Sequence, residues 1–157
     1  MKKIEEPSAL NDVAKFHTTF NLPILDKPTI PNKKRCELRL NLLEEELQEL
    51  KDAIETKDLV EIADAFCDIQ YVLSGAILEF GLGSKFKSLF EEVQRSNMSK
   101  TCKSMDEAKA TQQHYHDKDG TSSEIVSRGE EYIVYRSGDG KVLKSINYSP
   151  ADIPSLL

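Results

Sequence analysis

Over residues 33–55 the apolar positions of this chain return every three to four residues. Cys36, Leu40, Leu43, Leu47, Leu50 and Ile54 share one stripe, the mark of a long helix. A short break at Thr56-Lys57 leads to Asp58, a good N-cap, and to a second long helix ending near Phe80 with Gly81 at its C′ position. Helices joined so tightly are expected to lie antiparallel, as a helical hairpin. Upstream, Ser8 is placed to cap a first helix reaching about Phe20. Leu10, Val13, Ala14 and His17 share one of its faces, with Phe16 and Phe20 beside it. Pro23, Pro28 and Pro31 then predict a stiff, extended connector over 21–32. Residues 84–95 read as a fourth helix with Phe86, Leu89, Phe90 and Val93 inward. Ser104-Met105-Asp106-Glu107 has capping-box form and opens a fifth, to about His116.

The tail changes period. Residues 117–123 read as a polar loop, 131–136 as a strand, 137–140 as a turn and 141–146 as the returning strand. A single hairpin is marginal in water, so it must pack on the helices or on a second subunit. The expected fold is mainly α: a helical bundle built on an antiparallel helical hairpin, with a small C-terminal β-hairpin. An all-α domain over 1–116 carries 117–157 as its extension.

Charge narrows the partners. A net charge of −6 in 157 residues argues against a general binder of nucleic-acid polymers, which needs a basic stripe. Cys36, Cys67 and Cys102 form no C-x-x-C pair, and free thiols suit a reducing cytoplasm. The first residues turn acidic at Glu5-Glu6, where a signal peptide needs its apolar stretch. The most apolar segment, 71–80, is too short and interrupted to span a membrane. The expected setting is cytoplasmic.

The candidate chemistry lies in the acids of the two long helices. At about 100° per residue, Glu44, Gln48, Lys51, Asp52 and Glu55 fall on a solvated arc. Glu46 and Glu49 fall on a flank with Leu42 and Ala53, and Glu45 at its border. On the second helix, Glu61, Asp64 and Asp68 form a narrow stripe beside Tyr71 and Gly75. Ile62, Ala63, Phe66, Cys67, Ile69, Leu73 and Ile77 cover most of the remaining circumference, so this helix is expected to be largely buried. No Lys or Arg occurs between Lys57 and Lys85. Buried carboxylates must be protonated, paired with a cation or bound to metal. Singly, each acid has a plainer role: Glu61 as capping-box partner of Asp58, Asp68 paired with Arg35 or Arg39, the glutamate run as a solvated face. All-oxygen ligands point to magnesium first and manganese second. No His stands three residues after a Glu, which excludes the di-iron pattern, and His114 and His116 read as surface residues.

At these residues the chain resembles the all-α NTP pyrophosphatase superfamily: MazG-like proteins, phosphoribosyl-ATP pyrophosphohydrolases and dimeric dUTPases. Their E-E-x-x-E and E-x-x-D motif reads here Glu45-Glu46-Leu47-Gln48-Glu49 and Glu61-Ile62-Ala63-Asp64. Phe16-His17, Leu38-Arg39, Asp68-Ile69-Gln70-Tyr71-Val72 and Arg95-Ser96-Asn97-Met98-Ser99-Lys100 look like the MazG-like branch with dUTPase-like members. The resemblance covers roughly residues 8–101. It implies cleavage of an NTP or dNTP between the α- and β-phosphates to NMP and pyrophosphate. It further implies Mg²⁺ on Glu46, Glu49, Glu61 and Asp64, and water activation by Glu45. Arg95 and Lys100 would contact phosphate and Asn97 the base or sugar, with Arg39, Asp68 and His17 also on the substrate side. A homodimer or homotetramer is implied as well. The alternative within the superfamily is phosphoribosyl-ATP hydrolysis; the alternative outside it is a non-catalytic helical module that binds metal or nucleotide.

Overall fold

In the computed structural model, five helices follow in the order that the hydrophobic period predicts. They are α1 (Ala9–Thr19), α2 (Lys33–Thr56), α3 (Leu59–Glu79), α4 (Phe86–Met98) and α5 (Met105–Asp119). Strands β1 (Ser123–Arg128) and β2 (Glu131–Arg136) come next, with a short 3-10 turn at Pro154–Leu156. The described residues are 3–157; Met1 and Lys2, the start of the stretch read for a signal peptide, lie outside them. The fold is mainly α with one two-stranded antiparallel sheet. The chain divides into two compact units, one ending at Phe86 and one spanning Lys87–Leu157.

In the first unit, the Asn32 side chain accepts from the Arg35 N–H and starts α2. The helix stops at Lys57, which takes a left-handed φ of 58°. Asp58 follows, its carboxylate accepting from the Val60 and Glu61 N–H groups at the start of α3. α2 and α3 therefore pack along each other within one tight reversal, and α1 lies on α3. The proline-rich connector stays non-helical. Its Leu25 and Thr29 N–H groups donate to the carbonyls of Leu78 and Phe80, which the end of α3 leaves open. Gly81 makes this close approach possible: φ is 67°, and a Cβ there would lie 1.9 Å from the Lys27 carbonyl oxygen.

Burial departs from the sequence reading in three places. The leucine stripe of α2 is buried at Leu50 but exposed at Leu40 (59%), Leu47 and Ile54. A hairpin has one mutual face, and the stripe extends beyond it. α3 is not largely buried: Phe66 is 57% exposed and Leu59, Val60 and Leu73 are exposed, whereas Ser74–Glu79 carries most of its buried positions. On α4, Leu89 is inward, but Phe90 and Val93 are exposed.

The second unit has its own core of Cys102, Ala108, Val134 and Leu143, with Tyr115, Ile125 and Tyr132 packed around it. Here the hairpin differs from expectation. Residues 123–128, read partly as loop, form the strand that pairs with β2, in a register from Ser123↔Arg136 to Arg128↔Glu131. The reversal falls at Gly129, with φ 62°. Residues 141–146 pair with β2 only at an isolated bridge, Tyr135↔Val142, and form no strand. Ile125 packs against the core beside Val134, whereas 141–146, with Lys141 and Lys144, buries only Leu143 and Ser145.

Gly81→Ala should lower stability by roughly 1–3 kcal/mol from backbone strain alone. A thermal midpoint unchanged from wild type would show that the connector does not lie against α3 as described.

Candidate active site on the helical hairpin

One end of the α2–α3 contact is neutralised from within. Glu79 is 1% exposed. Its carboxylate accepts from Arg35 Nε at 3.0 Å and Nη2, and from Arg39 Nη2 at 2.5 Å. Arg39, 8% exposed, also donates to His17 Nε2 at 3.0 Å, and His17 Nδ1 lies 2.8 Å from the Pro23 carbonyl oxygen. A carbonyl only accepts and a guanidinium only donates. His17 is therefore neutral, with its proton on Nδ1. Gly75 gives this knot its room: a Cβ there would stand 2.7 Å from Arg39 Nη1 and 3.0 Å from His17 Nε2. Burial pushes the Glu79 carboxyl up, but the hydrogen bonds and charges of Arg35 and Arg39 hold it below its ordinary value of 4.5.

Farther along the same contact, no Lys or Arg among the described residues forms a salt bridge with the acids. Glu46 is half-buried on α2, and its carboxyl is raised above 4.5, first by burial and then by the charges of Asp68, Glu49, Glu45 and Asp64. The structure thus brings four acids of the two helices close enough to Glu46 for their charges to oppose its ionisation. Among the described residues, none of the five forms a salt bridge. Nor do any three His, Cys, Asp or Glu side chains among them converge as a ready-made metal cage. Glu61 stands one turn before Asp64, exposed, in the first turn of α3. The capping-box account of Glu61 does not hold, because the Asp58 N–H it would have to accept from donates to Ala53 O at 3.0 Å. The pairing of Asp68 with Arg35 or Arg39 does not occur either; Glu79 takes both arginines.

The remaining candidates lie in the second unit, where the tail is fastened along α4. Glu92 holds Arg95 by two hydrogen bonds at 2.7 and 2.8 Å and accepts from the Asp152 N–H. Arg95 also donates to the Pro150 carbonyl, Ser96 bonds the Tyr148 hydroxyl, and Ser99 exchanges two bonds with Ser149. The Lys100 carbonyl accepts from the Ser145 N–H. Arg95 is thus occupied within the chain, while Lys100 Nζ donates to Asn97 Oδ1 at 2.7 Å.

Beside the knot, Phe16, His17, Leu38, Arg39, Leu42 and Tyr71 line most of a cavity of about 270 Å³. Phe16 meets Tyr71 edge-on at 5.6 Å. Arg39 Nε is buried without a hydrogen-bond partner among the described residues.

The family model described as phosphoribosyl-ATP pyrophosphohydrolase matches residues 13–97, more than half of the chain and every acid of the hairpin group. The chain belongs to the phosphoribosyl-ATP pyrophosphohydrolase family. With it the chain joins the all-α NTP pyrophosphatase superfamily, a class of pyrophosphohydrolases. An uncharacterized protein of Acanthamoeba polyphaga mimivirus is 24% identical over 243 aligned positions, covering 98% of this chain and 97% of the viral protein. The family match ends at Asn97, so Lys100 and the tail fall outside it, whereas the viral alignment extends over them. Among the described residues no helix is long and apolar enough to cross a membrane.

Sequence reasoning missed Glu79. The signal was present: Glu79 continues the Asp64, Asp68 and Gly75 stripe of α3, and Arg35 and Arg39 stand one turn apart on the facing helix.

Glu79→Gln should cost about 3–5 kcal/mol, since it leaves buried arginines uncompensated. Because the folded carboxyl lies below 4.5, this contribution is complete above that pH and is lost as pH falls through the folded value. Glu46→Gln has the opposite sign: it removes a repelled charge and should hold or raise the stability of the metal-free protein. Urea midpoints at pH 7 and pH 3 test both; a destabilised Glu46→Gln or a neutral Glu79→Gln would invert the assignment.

Proposed function

We propose that this chain is a cytoplasmic, Mg²⁺-dependent hydrolase that cuts a nucleoside triphosphate between its α- and β-phosphates, releasing NMP and pyrophosphate. What carries the reading is the contrast within one helix contact. Arg35 and Arg39 are consumed by Glu79, while Glu46 is opposed by the charges of Glu45, Glu49, Asp64 and Asp68 and, among the described residues, forms no salt bridge. Such an all-oxygen group suits a hard dication, and repulsion among its members favours binding one. Glu46, Glu49, Glu61 and Asp64 would hold Mg²⁺, with Asp68 beside them; Mn²⁺ would fit the same donors. Bound there, the cation supplies neutralisation of the phosphates and of charge developing on the leaving pyrophosphate.

Glu45 is exposed next to Glu46, free to orient a water and take its proton. Asn97 and Lys100 are the polar groups assigned to sugar or base and to phosphate. Arg95 reaches substrate only by leaving Glu92 and Pro150. The cavity bounded by Phe16 and Tyr71 is the proposed base pocket. His17 shapes its wall, and the unpartnered Arg39 Nε suits a base that presents a carbonyl oxygen.

A second reading within the class has its own support: the matching family is described by its phosphoribosyl-ATP activity. Both reactions release pyrophosphate, so phosphoribosyl-ATP belongs in the substrate panel. A non-catalytic binder would show saturable affinity and no product.

With Mg²⁺ and a panel of NTPs, dNTPs and phosphoribosyl-ATP, NMP-type product and pyrophosphate are expected by ion exchange. Primary release of orthophosphate would overturn the reading. Glu49→Gln and Asp64→Asn should each cut turnover by orders of magnitude and lose the rise in melting temperature with Mg²⁺. Glu44→Gln, on the solvated arc, is the control and should change neither.

The exposed Leu40, Leu47, Ile54 and Phe66 support a second copy of the chain on the hairpin, giving a homodimer or homotetramer. Sedimentation over a range of concentrations should show it. A monomer throughout would remove this part alone.

A further inference from the structure

In the second unit, His114 and Tyr115 of α5 and Lys144, Ser145, Ile146 and Tyr148 of the tail line a cavity of about 300 Å³. That volume is at the lower end of the ~300–1,000 Å³ usual for small-molecule sites. None of the six residues is acidic, in a chain with 27 Asp and Glu against 21 Lys and Arg. Lys144 Nζ stands 4.3 Å from the centre of the Tyr148 ring, and the Tyr148 hydroxyl shares a 3.0 Å hydrogen bond with Ser96. The Tyr148 phenol is drawn below its ordinary value of 10.0, first by Ser96, against the effect of burial, and then by the charges of Lys144 and Lys100.

Neither lysine is neutralised. Among the described residues Lys144 and Lys100 form no salt bridge, and Lys100 Nζ donates to the uncharged Asn97 side chain. Glu107, the carboxylate that reaches Ser145, is engaged by the Ser145 hydroxyl, the Lys103 N–H and Asn147. The groups are also held in place: Ser145, Tyr148 and Ser149 are fastened to α4 and the residues just after it, at Lys100, Ser96 and Ser99. A cationic donor carried on a fastened backbone, without a counter-charge, fits an anion whose oxygens accept several bonds at once.

We propose that Lys144, with Tyr148 and His114, forms an oxyanion site for a phosphate or pyrophosphate group, sharing no residue with the proposed hydrolase site of the hairpin. Calorimetric titration of the full-length protein in EDTA, with sodium pyrophosphate and separately with sodium phosphate, tests it. Without divalent metal the acidic hairpin repels both anions and stays silent. Saturable binding of one anion per chain is expected, at least tenfold weaker in Lys144→Gln, weakened less in Tyr148→Phe and kept in Lys144→Arg. Lys109→Gln removes the same charge from another exposed site of α5 and should bind as wild type. Pyrophosphate held tighter than phosphate would mark a polyphosphate site, and equal affinity a phosphate site; either sustains the proposal. Absence of saturable heat, or equal weakening by Lys109→Gln and Lys144→Gln, would overturn it. A chain that binds pyrophosphate through Lys144 and turns over no nucleotide would keep this site and remove only the hydrolase reading.

Discussion

The buried carboxylate of Glu79 is the constraint on which the hairpin depends. It needs two guanidinium groups to be ionised away from water, and Arg35 and Arg39 can both reach it only if α2 and α3 keep one antiparallel register. The same register sets Gly75 against Arg39 and draws His17 of α1 into the knot. A slip of either helix would strand a charge in the interior. Such a pair adds little net stability over an apolar one, yet it penalises every alternative packing, and so acts on specificity. The hydrophobic contribution alone is too weak to fix the register, because much of the leucine stripe is still exposed in the single chain.

Once the register is fixed at the Glu79 end, it dictates what happens farther along. Glu46 must face the Asp68 and Asp64 region of α3, and neither helix has a further arginine to accompany it. One helix contact therefore carries matched charges at one end and unmatched charges at the other. Folding must work against the unmatched end, and any cation bound there would relieve it, which would link cation affinity to hairpin stability through the same carboxylates. The arginine knot holds that end in place without supplying a cation that would neutralise it.

Much of this was legible in the sequence, for reasons that are local. Asp58 and Gly81 announce the ends of α3 because capping and a positive φ are properties of one or two residues. The acids were legible because helical spacing gathers them on one flank. What was not legible depends on partners distant in sequence. Glu79 reads as a helix-end glutamate until the hairpin register sets Arg35 and Arg39 over it. The strand over 123–128 was hidden because Ser123, Glu124 and Ser127 dilute a two-residue apolar pair that becomes informative only when β2 lies opposite. The exposure of Leu40 and Ile54 was missed because period tells which residues share a face, not how many neighbours the chain has to cover it.

The tail shows the same limit from the other side. Glu92, Arg95, Ser96 and Ser99 are spaced to share one helical face, and their composition reads as a solvated helix end or a phosphate grip. Each instead takes a partner from residues 148–152. Hydrogen bonds from Arg95, with the Asp152 N–H, hold the Glu92 carboxyl down to about 2, so this fastening stays ionised well below neutral pH. That division sorts the polar run after α4 begins. The face toward the tail is structural, and Asn97 and Lys100 are left with their side chains bonded to each other, Lys100 Nζ donating to Asn97 Oδ1. A polar residue in a recognised motif is available to a substrate only if the rest of its own chain has not already claimed it. By that criterion Lys100 is a better candidate for the proposed phosphate contact than Arg95.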